Sequence, residues 1–253
     1  MKLIQSIQRA ADILELFLDE DNVLGISDFA ERLNLPKTTI QGIVRTLASL
    51  NYLEKDLHSA KYRLGPILLH LGFKYAKNMD LISESMVWIE RLSFRFRMTV
   101  NVCIRVGNKV LVLYCVEPKE RFSTFFNTGA PIDIHTTASG KVLYAFMEKK
   151  LRDRALASYE FRQFSPNTIT NKEDFITELE KVKREGYACS VEEGMTPTTS
   201  IGAPIFNNTG KVLAAFAMIG KPEEIERVFD EILHEIKKTS IEISKRLGYL
   251  KNK

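Results

Sequence analysis

Hydrophobic positions recur at helical spacing in two neighbouring segments near the start of the chain. Apolar side chains stand three, four and seven residues apart over residues 26–33, and again from Ile40 to Leu50. This spacing is typical of a helix with one buried face. Between the segments lies a short turn ending at Pro36, and proline is tolerated at the start of a helix but not in its interior. The pattern predicts two helices joined by a tight turn.

The outward face of the second helix carries no acidic residue; it presents Lys37, Thr38, Thr39, Gln41 and Arg45. Such a face suits a groove lined by phosphates. Free amide groups beside Thr38 and Thr39 would bind a phosphate, whereas Gln41 and Arg45 are long enough to reach base edges. Any solvated helix can carry Lys, Gln and Arg, so this face alone leaves a purely structural role open.

Two short strands with a polar tip are predicted over residues 53–64. Lys55, Lys61 and Arg63 could touch phosphates there, although an exposed hairpin is often basic for solubility. Over residues 36–65 five basic residues outnumber two acidic ones, and this local excess is more informative than the +4 of the whole chain. Helix, turn, helix and hairpin in this order predict a winged helix-turn-helix that binds double-stranded DNA.

Beyond residue 98 the hydrophobic period changes from helical to two. Residues 100–106 and 110–116 predict a hairpin with one half-buried face. Further strands are predicted at 122–127, 187–192, 200–206 and 212–219, and helices at 139–147, 149–158, 172–185 and 223–247. Consecutive hairpins flanked by helices favour an α+β fold with a largely antiparallel sheet.

Two helical patterns, at 67–79 and 82–97, connect the two parts without a Gly/Ser-rich linker. We therefore expect a DNA-binding domain at 1–65, a linker helix at 66–79 and a second domain at 80–253. A helical connection would let a shift in one domain reorient the other.

Composition narrows the class of protein. The chain has 253 residues, 45% of them hydrophobic and 27% charged, and it shows neither an apolar stretch of about 18 residues nor a signal-peptide pattern. We expect a cytoplasmic protein without membrane contact. Three cysteines without C-x-x-C spacing argue against a disulfide framework and a zinc site. Buried free thiols, no metal and no cofactor are the expectation.

Several short motifs resemble those of one family. They are the segment at 129–141, the Arg184-Glu185-Gly186-Tyr187-Ala188 run, the Glu192-Glu193 pair, the Gly202-Ala203-Pro204-Ile205-Phe206 run and the Tyr62-Arg63-Leu64-Gly65 junction. In their order and spacing they resemble the IclR family of bacterial transcription regulators, from about Ile4 to Tyr249. The resemblance implies a GAF-like (profilin-like) domain that binds a small effector. It also implies a homodimer formed largely through the N-terminal regions, often a tetramer on DNA, and an operator of paired half-sites.

The resemblance also implies an effector site. His135, Ala138, Ser139, Gly140 and Lys141 match the family's strand-to-helix turn at the pocket edge, where Thr136 or Thr137 can cap the helix and its amide end favours a carboxylate. Polar positions on the last strands are Ser190, Ser200, Ala217 and Ile219 here, and only the serines can hydrogen-bond. Pro197 replaces a usual glycine. We expect a ligand larger or more apolar than glyoxylate or pyruvate, such as an aromatic or sugar acid.

Two other function classes stay open. A sensor or scaffold could use its winged helix to bind protein. An enzyme is less favoured, since GxSxG, HExxH, P-loop and GxGxxG motifs are absent, although a cysteine could act as a nucleophile. Repression is expected rather than activation because most relatives repress. The segment at 148–185 could be a pocket lid or an ordinary surface connection.

Overall fold

A computed structural model of the chain describes residues 3–18, 23–77, 80–118, 128–194 and 197–250. The chain divides into two units, Met1–Asn78 and Met79–Lys253. The strand predicted at 122–127 lies outside the described residues. Within the described ranges, no helix is long and apolar enough to cross a membrane.

The first unit is a winged helix-turn-helix, as predicted. Its elements are α1 (Gln5–Glu15), α2 (Ile26–Leu33), α3 (Lys37–Ser49), β1 (Leu53–Lys55), β2 (Tyr62–Leu64) and α4 (Pro66–Lys77). The turn between α2 and α3 forms because Asn34 adopts a left-handed conformation (φ 50°) and Pro36 takes the N-cap of α3. Asparagine tolerates this conformation better than most residues. The predicted linker helix corresponds to α4, which is counted within this unit.

The core of this unit is formed by one face each of α1, α2 and α3. Phe29 of α2 and Ile40, Val44 and Leu47 of α3 are buried. The prediction that the stripe continues to Leu50 is wrong: this side chain is 56% exposed, because α3 ends at Ser49 and the helical periodicity ends with it.

Among its described residues, the second unit contains a six-stranded sheet between two layers of helices. Its elements are α5 (Asp80–Phe96), β3 (Thr99–Val106), β4 (Lys109–Val116), β5 (Pro131–Ile132), α6 (Ala138–Ala145), α7 (Lys149–Leu156), α8 (Lys172–Glu185), β6 (Ala188–Val191), β7 (Thr199–Phe206), β8 (Val212–Gly220), α9 (Pro222–Arg227) and α10 (Phe229–Arg246). The strand order is β5-β4-β3-β8-β7-β6, and neighbouring strands are antiparallel. The α+β class and the antiparallel sheet are therefore confirmed.

Two details differ from the sequence prediction. The single helix predicted at 223–247 is two helices, α9 and α10, because Val228 between them is not helical (φ −129°, ψ 24°). The short edge strand β5 was not predicted, since two residues show no periodicity.

The prediction of a half-buried hairpin is also wrong, because the sheet is buried on both faces. Val100 and Val102 of β3 pack in a cluster that includes α5 and α10 residues, whereas Cys103 packs with residues of α6 and α8. The second face of β3 carries Asn101 and Cys103 between larger apolar residues, so the sequence resembled that of a strand with one exposed face. That face holds the candidate effector site.

Candidate functional site

The outward face of α3 is available for contact with a large ligand. Among the predicted DNA-binding residues on it, Lys37, Thr38, Gln41 and Arg45 are exposed and Thr39 is partly exposed. No side chain caps the start of α3, so its first amide groups can donate hydrogen bonds to a phosphate. The helix places Gln41 and Arg45 one turn apart. Gly42 faces open space, since a Cβ there would meet nothing within 4 Å.

The basic residues of the hairpin are exposed as well, but two of them are paired with acids. Lys61 Nζ lies 3.4 Å from Asp28 Oδ2, and Arg63 donates to Glu54 across the β1–β2 pair. Such exposed pairs are weak and yield readily to a phosphate. Lys55 is exposed. Sequence analysis missed both pairs because they join residues distant in sequence or opposite on two strands.

In the second unit the turn before α6 is held by specific contacts. Thr137 caps the helix, its Oγ1 accepting from the Gly140 amide at 3.2 Å. A Cβ on Gly140 would lie 2.4 Å from the Ile134 carbonyl oxygen, so only glycine fits. Gly202 on β7 allows α6 to approach the sheet, since a Cβ there would lie 3.2 Å from the Ala138 Cβ.

A small cavity lies where the start of α6 faces the sheet. It is lined by Asn101, Ile132, Thr137, Ala138, Ser139, Ser200, Ala217 and Ile219. Strand register brings the sheet residues together: Asn101 pairs with Ala217, and Ser200 pairs with Ile219. Five of the eight predicted effector residues line this cavity. The open volume is about 10 Å³, roughly what one water molecule needs.

One polar side chain in this lining has no partner. Ser139 is 1% exposed, and no oxygen or nitrogen partner satisfies its Oγ; its polar neighbour is the Cys103 thiol, which forms only weak hydrogen bonds. Ser200 Oγ instead accepts from the Ala138 amide at 3.3 Å. A buried hydroxyl without a partner is costly, so Ser139 offers a donor that a ligand can satisfy.

Sequence analysis missed Asn101 as a lining residue. It is 1% exposed and lies on β3 between two valines. A lone amide in an apolar strand was the signal that could have identified it, because a buried amide needs partners.

The cation nearest to this turn is already neutralised. Lys141 is buried, and its Nζ lies 2.6 Å from Glu193 Oε1 and 3.2 Å from Glu178 Oε1. The same nitrogen donates to the Cys189 carbonyl at 2.9 Å. Burial raises the pKa of Glu193, and the charge of Lys141 opposes this shift. Lys141 is outside the cavity lining. A ligand in the cavity therefore meets amide and hydroxyl dipoles rather than a free ammonium group.

Three predicted effector residues lie outside the lining. Gly140 serves the close approach to Ile134 described above, and Ser190 Oγ donates to the Thr136 carbonyl at 2.8 Å. His135 is fully buried; its Nδ1 lies 2.8 Å from the Tyr159 hydroxyl and its Nε2 lies 3.0 Å from the Arg162 carbonyl. Both ring nitrogens are thus occupied by contacts away from the cavity.

The two contacts of His135 hold the connection at 157–171, between α7 and α8, which we call the strap. At its other end Ser165 Oγ donates to the Glu192 carbonyl at 2.6 Å and Thr168 Oγ1 to the Glu193 carbonyl at 2.7 Å. No strap residue lines the cavity. The strap therefore ties the turn before α6 to the segment that follows β6.

The cysteines are ill suited to nucleophilic chemistry. Burial raises the pKa of Cys103 and of Cys115 to about 12, and it also raises the pKa of Cys189. The thiolate is the reactive form, so little of it is present near neutral pH.

Comparison with known proteins places both units. The model of the IclR C-terminal domain of bacterial transcriptional regulators matches residues 73–245, and that of the IclR helix-turn-helix domain matches residues 6–57. The glycerol operon regulatory protein of Streptomyces coelicolor is 31% identical over 248 residues, covering 97% of each protein. The transcriptional repressor AllR of Escherichia coli is 26% identical over 246 residues, covering 96% of this chain and 90% of AllR.

A solved structure shows the same architecture. An IclR homologue from Microbacterium hydrocarbonoxydans, crystallised with 4-hydroxybenzoate, superposes with a TM-score of 0.81 at 23% identity, over 96% of this chain and 98% of that one. Matching models over both units and a relative above 30% identity lead to one conclusion: the chain belongs to the IclR family of DNA-binding transcriptional regulators.

Proposed function

We propose that this regulator represses transcription by binding paired half-sites as a dimer, and that a small organic acid with one carboxylate controls the binding from the α6 cavity. The observation that carries the ligand class is the unpartnered Ser139 hydroxyl in a cavity at the start of α6. A helix N-terminus and a free hydroxyl together favour one carboxylate.

The charge around the cavity argues against a second carboxylate on the ligand. Lys141 is already paired with Glu193 and Glu178, and the lining contains no cation. A buried charge without a partner is expensive. The rest of the lining, with Ile132, Ala217 and Ile219, suits an apolar body such as an aromatic ring.

A ligand of that size needs the cavity to widen. Its present volume holds one water, and β5, which carries Ile132, pairs with β4 through only two residues. Displacing such a short edge strand costs few hydrogen bonds. Binding of 4-hydroxybenzoate by the Microbacterium relative supports this ligand class.

A dimer is supported by apolar side chains on α4. Leu69 is 79% and Phe73 is 68% exposed, and residues four apart share a helix face. A second copy of the chain would cover them, and a dimer reads two half-sites. The alternatives are a protein-binding sensor and an enzyme. The raised pKa values of the three cysteines argue against an enzyme that uses a cysteine as its nucleophile.

DNA recognition is tested first by selecting duplexes from a random pool with the purified protein. Removing Arg45, which is exposed on α3, should weaken binding to the selected duplex by about 1–3 kcal/mol if Arg45 contacts a base. Lys55→Ala should weaken binding to all duplexes by the same factor and lower the salt dependence of binding by about one phosphate contact. Equal binding by the Arg45→Ala variant would show that Arg45 does not contact the DNA. Failure of the wild type to select any duplex would favour the protein-binding alternative.

A further inference from the structure

The tip of the β1–β2 hairpin holds a leucine in solvent. Leu57 is 90% exposed, the largest exposed fraction for a large hydrophobic side chain among the residues that the structure describes. Single exposed leucines are common on protein surfaces. This one is set apart by the loop that carries it.

The loop is held by hydrogen bonds of its own residues. Asp56 Oδ1 accepts from the His58 amide at 3.0 Å and from Ser59 Oγ at 2.9 Å, and the Asp56 amide donates to the Lys61 carbonyl at 2.9 Å. None of these bonds involves Leu57. The side chain is therefore presented outward on an ordered turn, which lowers the entropy lost when it is buried by a partner.

The base of the hairpin is fixed to the helices of the same unit. Leu53 is buried in their core, and a Cβ on Gly65 would lie 2.2 Å from the Asn51 carbonyl oxygen. Leu24 and Tyr62 exchange backbone hydrogen bonds of 2.9 and 2.8 Å. Since α3 belongs to this core, the tip keeps a set position relative to the helix that faces DNA.

Charge identifies the partner. Lys55 and Lys61 flank the loop and are exposed. Lys61 is also 3.4 Å from the Asp28 carboxylate, in an exposed and therefore weak pair, whereas the Asp56 carboxylate is turned into the loop by the bonds described above. An apolar tip between two cations complements a groove with anionic edges and an apolar floor of sugars and bases.

We propose that Leu57 is an apolar wedge that enters the minor groove of operator DNA, beside the major groove that faces α3, and opens a base step. This inference rests on DNA binding through α3 and the hairpin. A wedge selects steps that unstack easily, such as TA and CA, so Leu57 would confer sequence preference without a hydrogen bond.

The test uses the duplex selected by the wild-type protein. Because Leu57 packs on nothing, Leu57→Ser should leave thermal stability unchanged yet weaken binding about tenfold or more, given the apolar surface lost. The DNA bend angle, measured by energy transfer between end labels, should fall, and the slope of affinity against salt should stay constant. Leu57→Met should bind nearly as the wild type does, and so should Leu250→Ser, which alters a leucine of similar exposure in the second unit.

Two outcomes would overturn the wedge. One is unchanged affinity or an unchanged bend angle with Leu57→Ser. The other is a change in the oligomeric state of that variant by sedimentation, which would assign Leu57 to a contact between subunits. If the wild type selects no duplex at all, DNA binding itself fails, and the two failures are thus distinguishable.

Discussion

The Ser139 hydroxyl has no evident role in stabilising the fold. Its hydroxyl is buried without a hydrogen-bond partner, so Ser139→Ala should leave stability unchanged or slightly raised. Binding of 4-hydroxybenzoate or another monocarboxylate should weaken about tenfold, because a hydrogen bond to a charged group is lost. Isothermal titration with a panel of mono- and dicarboxylates measures this.

Thr199 provides a matched control for Ser139. Its Oγ1 is also buried without a partner, yet it is outside the cavity lining. Thr199→Val should therefore bind the acid as the wild type does. Equal losses in both variants would show that Ser139 acts through general packing.

His135 shows that a motif does not fix the direction of a side chain. The family resemblance places it at the pocket edge, but its ring nitrogens contact Tyr159 and the Arg162 carbonyl instead. A motif identifies the neighbourhood of a residue, whereas the direction of its side chain depends on which distant segment packs against it.

At the scale of elements, the strap depends on a neutral His135. Burial lowers the pKa of His135, partly opposed by the Arg162 carbonyl and Asp133, while nearby Lys141 lowers it further. The unfolded chain then binds the proton more tightly, so stability should fall as the pH drops below about 6.5, by at most about 1.4 kcal/mol per pH unit for one proton.

Denaturant unfolding between pH 7.5 and pH 5 checks this dependence. Since His135→Gln removes the titrating ring, the part of the slope due to His135 should disappear. His234→Gln, on the exposed surface of α10, should keep the wild-type slope. A slope that survives in the His135→Gln variant would contradict a role for this residue.

The exposed face of α4 is the second element with a testable role. Leu69→Glu combined with Phe73→Glu should convert the proposed dimer to monomer, because a carboxylate cannot be buried unpaired in an apolar interface. Both side chains are already exposed, so the fold should be retained. Analytical ultracentrifugation reports the mass, and Lys74→Glu on the same helix is the control. A double variant that stays dimeric would place the interface elsewhere.

At the scale of the whole molecule, control requires coupling between ligand and DNA. If a bound acid changes operator affinity by some factor, operator DNA must change the affinity for the acid by the same factor. Couplings of 5- to 150-fold are typical. Titrating the acid into free protein and into the protein–operator complex should give two affinities whose ratio equals the shift measured with labelled DNA.

Two results would count against control from the cavity. One is saturable ligand binding with no change in operator affinity. The other is coupling that persists undiminished in the Ser139→Ala variant at ligand concentrations too low to fill its cavity. The direction of the shift decides between release of a repressor and recruitment of an activator.

The local elements of this protein follow from neighbouring residues along the chain. Helical spacing, the turn at Pro36 and the alternation in β3 and β4 depend on neighbours along the chain, so the winged helix-turn-helix and the antiparallel hairpins could be predicted. Errors fell where local periodicity ends, at Leu50 and at Val228, and in the hairpin of β3 and β4, whose second face is covered by distant helices.

Which polar groups stay free depends on contacts between distant parts of the chain. Strand register brings Asn101 to the cavity, Glu193 and Glu178 neutralise Lys141, and the strap occupies His135. Each of these contacts joins residues more than 20 positions apart. Sequence spacing carries no information about such pairs, because a polar group bonds to the groups that tertiary packing places beside it. The same packing leaves the Ser139 hydroxyl without an oxygen or nitrogen partner and the Leu57 side chain exposed.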